Sequence, residues 1–121
     1  MITAKMVKRA FEESKELSVE LAILELSMNP QDKKKKRQVE QKINMVESWS
    51  NLLLPHEQYI LQRHLVDKLS WSKLADEKTV VEGVENGCDE RTLQRTQDRC
   101  LKRIAKFMTK KFGHSLDHLF V

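Results

Sequence analysis

The scarcity of chain-breaking residues constrains this chain more than any other feature of its sequence. Only three glycines and two prolines occur in 121 residues. Sandwiches, barrels and propellers need many turns, and those turns draw heavily on both residue types. Collagen-like and linker-like chains need even more of them. The sequence therefore predicts an all-α fold, with room for one domain or for a small domain and a helical extension.

Apolar residues recur at helical spacing in five segments, which we predict to be helices over about residues 3–27, 30–53, 55–68, 71–78 and 90–112. Polar caps and prolines mark their starts, and Gly113 ends the last one. Residues 79–88 hold two glycines and no helical period, so this stretch is predicted to be a loop.

The first two predicted helices form an N-terminal helical hairpin over residues 1–53, because the short turn at Asn29-Pro30 makes them antiparallel neighbours. Val19, Ile23 and Leu26 broaden the apolar stripe of the first helix, so we expect its end to be buried on more than one side. Residues 54–113 form the second unit, and residues 114–121 form a C-terminal tail.

Basic residues are concentrated in one predicted helix. The chain has a formal net charge of +4. Residues 91–111 carry eight basic residues against one acid, Asp98, which leaves a net charge of −3 for the rest of the chain. A basic element of this kind is the electrostatic feature expected of a nucleic-acid-binding protein. A solvated helix face remains the alternative.

The third to fifth predicted helices have the layout of a helix-turn-helix, in which the last helix enters the DNA major groove. Arginine can donate two hydrogen bonds to guanine, and glutamine can pair similarly with adenine. The first turns of the last helix hold such side chains, and later turns hold cations suited to phosphate. The predicted DNA contacts are Arg91, Thr92, Gln94, Arg95, Arg99, Lys102 and Arg103, together with Ser70 and Lys73 near the start of the fourth helix.

A second basic cluster opens the second predicted helix and comprises Lys33, Lys34, Lys35, Lys36 and Arg37. Cations at a helix N-terminus oppose the helix dipole, at a cost of a few tenths of a kcal/mol each. The cluster is therefore either a solvated charge run or a patch that contacts phosphates.

Three segments carry a resemblance to region 4 of bacterial sigma factors: 54–61 (LPHEQYIL), 69–75 (LSWSKLA) and 88–95 (CDERTLQR). Within that group the chain most resembles phage late-gene regulators of the ArpU and RinA type. The resemblance covers about residues 53–107. It implies a sigma-like helix-turn-helix, activation of phage late genes and contact with host RNA polymerase. Asp89 replaces the usual serine, and the connection of about ten residues before the last helix is longer than usual.

Other classes of function lack their sequence signals. Cys88 and Cys100 have eleven residues between them rather than zinc-finger spacing, although His114 and His118 are spaced like half of a finger. The glycines match no phosphate-binding loop, and no nucleophile motif is present. We predict no metal, no cofactor and no enzymatic activity. No apolar run is long enough to cross a membrane, so we expect an intracellular protein with reduced thiols. The resemblance to phage regulators implies that this compartment is the bacterial cytoplasm.

Two hypotheses follow from the sequence. The first is a sequence-specific transcription regulator that binds double-stranded DNA, with RNA polymerase as a further partner. The second is a helical adaptor or dimerisation module whose first two helices bind a partner protein or a second copy, with the last helix purely structural. A homodimer is compatible with both, because regulators that read two half-sites are often two-fold symmetric.

Overall fold

The computed structural model of the protein describes residues 2–82, 89–115 and 119. Its regular secondary structure over these residues is entirely helical, which confirms the predicted all-α fold class. The helices are α1 (Ala4–Glu12), α2 (Ser14–Glu25), α3 (Asp32–Ser50), α4 (Pro55–Leu61), α5 (Trp71–Glu82) and α6 (Glu90–Phe112). Helix α4 continues directly into a π-helical turn over Gln62–Val66.

Helices α2 and α3 pack against each other as an antiparallel hairpin. The turn between them includes Asn29, whose side-chain oxygen accepts a hydrogen bond from the Gln31 amide at 3.0 Å. The Ser27 hydroxyl donates to the Asp32 carboxylate at 2.5 Å. Because Pro30 belongs to this turn rather than to the helix, α3 begins two residues later than the sequence predicted.

The predicted first helix is wrong as a single element, because the chain breaks at Glu13 into α1 and α2. The Ser14 hydroxyl donates to the Phe11 carbonyl at 2.8 Å, and such side-chain bonds compete with the helical ladder. After the break the two helices have different neighbours. Helix α1 packs against α6 and the π-helical turn, whereas α2 packs against α3.

The expected burial of the α2 C-terminal half on several sides is also wrong. Val19, Ile23 and Leu26 are 61%, 64% and 84% exposed. Only one face of α2 packs against α3, and no other described helix covers the opposite face. The breadth of the apolar stripe therefore reflects an uncovered surface rather than a deeper core.

One apolar cluster joins α1, the end of α3, α4, the π-helical turn, α5 and α6. Trp49 near the end of α3 is 1% exposed, and its ring packs against Phe11 of α1 with centroids 5.9 Å apart. Fully buried residues of this cluster include Val7, Ile60, Leu61, Leu74, Leu93, Ile104 and Met108.

Three further boundaries differ from the predictions. Helix α3 ends at Ser50 rather than at residue 53, because the chain turns there. The π-helical turn ends at Val66, short of the predicted Lys68, because Lys68 turns the chain with a left-handed φ of 62°. Helix α5 extends to Glu82, so the predicted loop is wrong for residues 79–82. β-Branched residues weaken a helix only slightly, and the first strong breaker is Gly83. Residues 83–88 of the predicted loop lie outside the described residues.

Truncating Phe11 to alanine tests whether α1 belongs to the core. We expect Phe11→Ala to lower the free energy of unfolding by about 3 to 5 kcal/mol, because it removes a buried ring. The control Lys5→Ala changes an exposed side chain of the same helix and should shift stability by about 0.5 kcal/mol or less. Urea unfolding followed by circular dichroism measures both, and equal effects would contradict the packing described.

Candidate nucleic-acid interface

Helix α6 begins and ends where its sequence predicts. The Asp89 carboxylate accepts a hydrogen bond from the Thr92 amide at 2.8 Å, which confirms it as the N-cap. This bond, together with one from the Thr92 hydroxyl, lowers the pKa of Asp89. At the other end Gly113 adopts a φ of 57°, a conformation that glycine tolerates best, and its amide donates to the Thr109 carbonyl.

The inner face of α6 supplies a large part of the core. The predicted apolar residues Leu93, Leu101 and Ile104 are buried, and so are Cys100 and Met108. Phe107 differs, because it is 39% exposed. Its ring centroid lies 5.6 Å from the Lys111 ammonium nitrogen. Helices α1, α4 and α5 all pack against α6. Its orientation is therefore set by three neighbours.

A stripe of five exposed cations runs along the outer face of α6. Their spacings are four, four, three and four residues, which keeps them on one side of a helix with 3.6 residues per turn. That side is opposite the buried residues Cys100 and Ile104. Within the described part of the chain none of the five forms an ion pair. We call this set, Arg91, Arg95, Arg99, Lys102 and Lys106, the basic stripe.

The other predicted DNA contacts are exposed as well. Thr92 and Gln94 lie in the first turns of α6, on either side of the basic stripe. Ser70 and Lys73 lie at the start of α5, where the Ser70 hydroxyl accepts a hydrogen bond from the Lys73 amide at 3.2 Å. Ser70 is therefore the cap of α5, and its hydroxyl remains exposed.

Arg103 differs from the other predicted contacts because its guanidinium already binds a carboxylate. Its two terminal nitrogens donate to the two oxygens of Glu57 at 3.1 and 3.3 Å. Glu57 is only 2% exposed, although it comes from the first turn of α4. The pair fixes the start of α4 against the middle of α6. Sequence spacing does not predict it, because the partners are 46 residues apart.

Glu57 stays ionised inside the protein because donors surround it. Burial raises its pKa, but hydrogen bonds from the Leu54 amide, Arg103 and Cys100 bring the pKa below its ordinary value of 4.5. For Cys100 the pKa shifts upward instead. Burial, followed by its hydrogen bond to Glu57, raises the pKa of this thiol to about 12. Cys100 is therefore a buried, protonated thiol, as predicted, while Cys88 lies outside the described residues.

A second polar cluster fixes α5 against α4 and the π-helical turn. The Arg63 guanidinium donates to Glu77 of α5 at 2.8 and 3.0 Å and to Asp67 at 2.9 Å. Tyr59 donates a short hydrogen bond to the same Glu77. Lys15 of α2 reaches Asp67 at 3.0 Å and so ties the hairpin to this cluster. The hydrogen bonds from Arg63 to Glu77 and Asp67 raise the pKa of Arg63.

His64 packs at the turn that leads into α5 and is partly buried. Its ring stacks on Trp71 with centroids 3.6 Å apart, and its Nδ1 lies 2.8 Å from the Leu69 carbonyl oxygen. Because a carbonyl only accepts, Nδ1 carries the hydrogen. Burial lowers the pKa of His64, so the neutral ring is favoured at neutral pH.

The Lys33–Arg37 cluster is remote from the α6 surface that bears the basic stripe. It opens α3 at the hairpin tip, whereas α3 joins the core through Val46 and Trp49 near its other end. At 1.5 Å per residue, Lys34 lies about 18 Å further along the helix than Val46. Lys35 is 3.4 Å from Glu20 of α2, and four of the five cations are exposed. A phosphate-contacting role for this cluster stays a prediction.

Within residues 2–82, 89–115 and 119, every helix is too short or too polar to span a bilayer. The same residues contain no group of three or more histidine, cysteine or acidic side chains arranged to hold a metal ion. His118 of the predicted half-finger spacing lies outside the described residues.

Comparisons with protein-family models, curated proteins and solved structures find no match to this chain. The resemblance to sigma region 4 and to the phage regulators therefore stays a prediction.

The ion pair at Glu57 predicts a specific pH dependence. A carboxylate whose pKa is lower in the folded than in the unfolded chain stabilises the fold above the unfolded pKa, near 4.5, and this contribution is lost as pH falls through the folded pKa. We expect Glu57→Gln to destabilise the protein at pH 7 by about 1 to 3 kcal/mol.

The difference between wild type and Glu57→Gln should shrink below pH 4.5 and be smallest near pH 3, a pattern that denaturant unfolding at several pH values measures. The control Glu47→Gln replaces an exposed carboxylate of α3 and should track wild type throughout. A Glu57→Gln effect that stays constant with pH would show that Glu57 is not held as a carboxylate.

Proposed function

We propose that the protein is a sequence-specific DNA-binding transcription regulator that reads the major groove with α6. The observation that carries the proposal is the basic stripe: five exposed cations without ion-pair partners in the described chain, on the side of α6 opposite the core. Cations on a merely solvated helix face commonly pair with neighbouring acids, whereas Asp98 is the only acid between Arg91 and Lys111.

The dimensions of α6 suit this role. An α-helix with its side chains is about 10 to 12 Å across, and the major groove of B-DNA is about 12 Å wide. From Arg91 to Lys106 the stripe runs about 22 Å along the axis. In the proposed complex Arg91, Gln94 and Arg95 of the first turns face base edges. Guanine suits the two arginines, and adenine suits Gln94.

The later cations of the stripe are assigned to the DNA backbone. Arg99, Lys102 and Lys106 follow the reading turns along the same face, where phosphates flank a helix that enters the groove. Arg103 is removed from the predicted contacts and becomes a positioning residue, because its guanidinium binds Glu57. Ser70 and Lys73 at the start of α5 remain phosphate contacts in the proposal.

Rigid support of α6 favours recognition over loose charge attraction. A recognition helix that is already fixed in the free protein loses less conformational entropy when it binds DNA. The Glu57–Arg103 pair holds α6 against α4, and the Arg63–Glu77 pair holds α5 against the π-helical turn that follows α4. In the proposal α5 and α6 act as a helix-turn-helix, although residues 83–89 make their connection longer than the usual tight turn.

The wider biological role comes from the resemblance alone. It implies that the protein activates phage late genes and contacts host RNA polymerase, and it would place the protein in the bacterial cytoplasm. The proposal gives α6 a binding role and assigns no catalytic residue, metal or cofactor. DNA recognition is tested first, because gene activation and contact with RNA polymerase both depend on it.

Selection from a pool of random duplexes tests sequence recognition directly. We expect a short motif to be enriched at about 150 mM salt, where general charge attraction is weak. If no motif is enriched and binding disappears as the salt concentration rises, α6 does not recognise a DNA sequence and is only a charged face of the helix bundle.

The double variant Arg91→Ala/Arg95→Ala should reduce affinity for the enriched motif at least about thirtyfold, because each bidentate contact contributes about 1 to 3 kcal/mol. Electrophoretic mobility shift or fluorescence anisotropy measures the change. The matched control Lys5→Ala/Arg9→Ala removes the same charge from exposed positions of α1 and should bind within about threefold of wild type. Equal losses in both variants would show that net charge, not the reading turns, drives binding.

A further inference from the structure

Among the described residues, the four most exposed large apolar side chains lie on α2 or just after its end. Val19, Ile23, Leu26 and Met28 are 61%, 64%, 84% and 96% exposed. The first three recur at spacings of four and three residues, so they form one stripe along α2. Single exposed apolar residues are ordinary, whereas a contiguous patch marks an interaction surface.

The outer face of α2 has no neighbour among the described residues. Helix α3 covers the opposite face, where Leu17 is buried. Ala22 is exposed between the large side chains of the stripe. A small residue at that position lets a second helix approach closely, so that large residues of one helix fit beside small residues of the other.

The stripe is self-complementary when two copies pair antiparallel. A two-fold axis near Ala22 and Ile23 places Val19 of one copy beside Leu26 of the other, and Ala22 beside Ile23. Every apolar residue of the stripe then meets an apolar partner. A two-fold pairing of this kind buries the same patch on both copies.

Charge at the two ends of α2 favours the same arrangement. Its N-terminal end carries the exposed acid Glu16, which has no ion pair among the described residues. The charged groups around it are already paired within the chain, Glu12 with Lys8, Glu13 with Arg9 and Lys15 with Asp67. The C-terminal end of α2 leads into the hairpin tip with the exposed cations Lys33 and Lys34. In an antiparallel pair the basic tip of one copy lies beside Glu16 of the other, twice over. A parallel pair would bring like charges together.

We propose that the outer face of α2 binds a second copy of this chain, antiparallel, through Val19, Ala22, Ile23 and Leu26. The inference does not depend on DNA binding. A contact through one face of a twelve-residue helix is small for a protein interface, so we expect a weak dimer with a dissociation constant on the order of micromolar.

Analytical ultracentrifugation of the full chain without DNA tests the dimer over about 1 to 200 µM, which brackets micromolar affinity. The molecular mass should rise with concentration from 14.2 kDa towards twice that value. Ile23→Glu should raise the dissociation constant about thirtyfold or more, because it buries an unpaired charge at the centre of the contact. A monomeric wild type throughout the range would overturn the proposal and leave the face to another partner.

Two controls separate association from folding. Gln41→Glu adds the same charge at an exposed position of α3 and should dimerise as wild type does. The circular dichroism spectrum and thermal midpoint of Ile23→Glu should match wild type, since the side chain is exposed in the monomer. Dimerisation of Ile23→Glu with unchanged affinity would exclude this face as the contact.

A charge exchange tests the antiparallel arrangement. Glu16→Lys and the double variant Lys33→Glu/Lys34→Glu should each weaken the dimer, and mixing the two proteins should restore association as a heterodimer. Within one chain these groups lie at opposite ends of the hairpin, so restoration can come only from contact between copies. Failure of the mixture to associate better than either variant alone would overturn the antiparallel pairing.

Discussion

Burial of one face of α6 determines where every cation of the basic stripe points. Burying a large apolar side chain stabilises a fold by about 1.5 to 3 kcal/mol, whereas like charges one turn apart on a helix cost only a few tenths of a kcal/mol. Leu93, Leu101, Ile104 and Met108 are all buried on this helix. Packing therefore outweighs repulsion by a wide margin, and the helix can carry five neighbouring cations on its other side.

The Glu57–Arg103 pair shows how one cation of α6 serves structure instead. A buried carboxylate without a partner is costly, and replacing the whole pair by apolar residues could be neutral for stability. What the pair contributes is position, because two hydrogen bonds in a fixed geometry allow one alignment of α4 against α6. The Arg63–Glu77 pair acts in the same way on α5. In the proposed function both pairs set the angle at which α6 meets the groove.

Local sequence patterns predicted the helical class, the caps of α6 and its buried face, because these depend on neighbours within a few residues. They failed wherever a distant partner decided the outcome. The apolar stripe at Val19 and Ile23 has the right period for burial, but nothing in the period says whether a second surface covers it. Arg103 reads as one more surface cation until the fold brings Glu57 to it. The π-helical turn and the extension of α5 likewise have no clear local signal.

The salt dependence of DNA binding tests the central claim, that the outer face of α6 contacts DNA, most directly. If the five cations of the stripe neutralise about three to five phosphates, a plot of log affinity against log salt should have a slope of about −3 to −5. Arg99→Ala/Lys102→Ala should make that slope shallower by about two, and Lys5→Ala/Arg9→Ala should leave it unchanged. A slope that the α6 variant does not alter would contradict the account and place the DNA contact elsewhere on the protein.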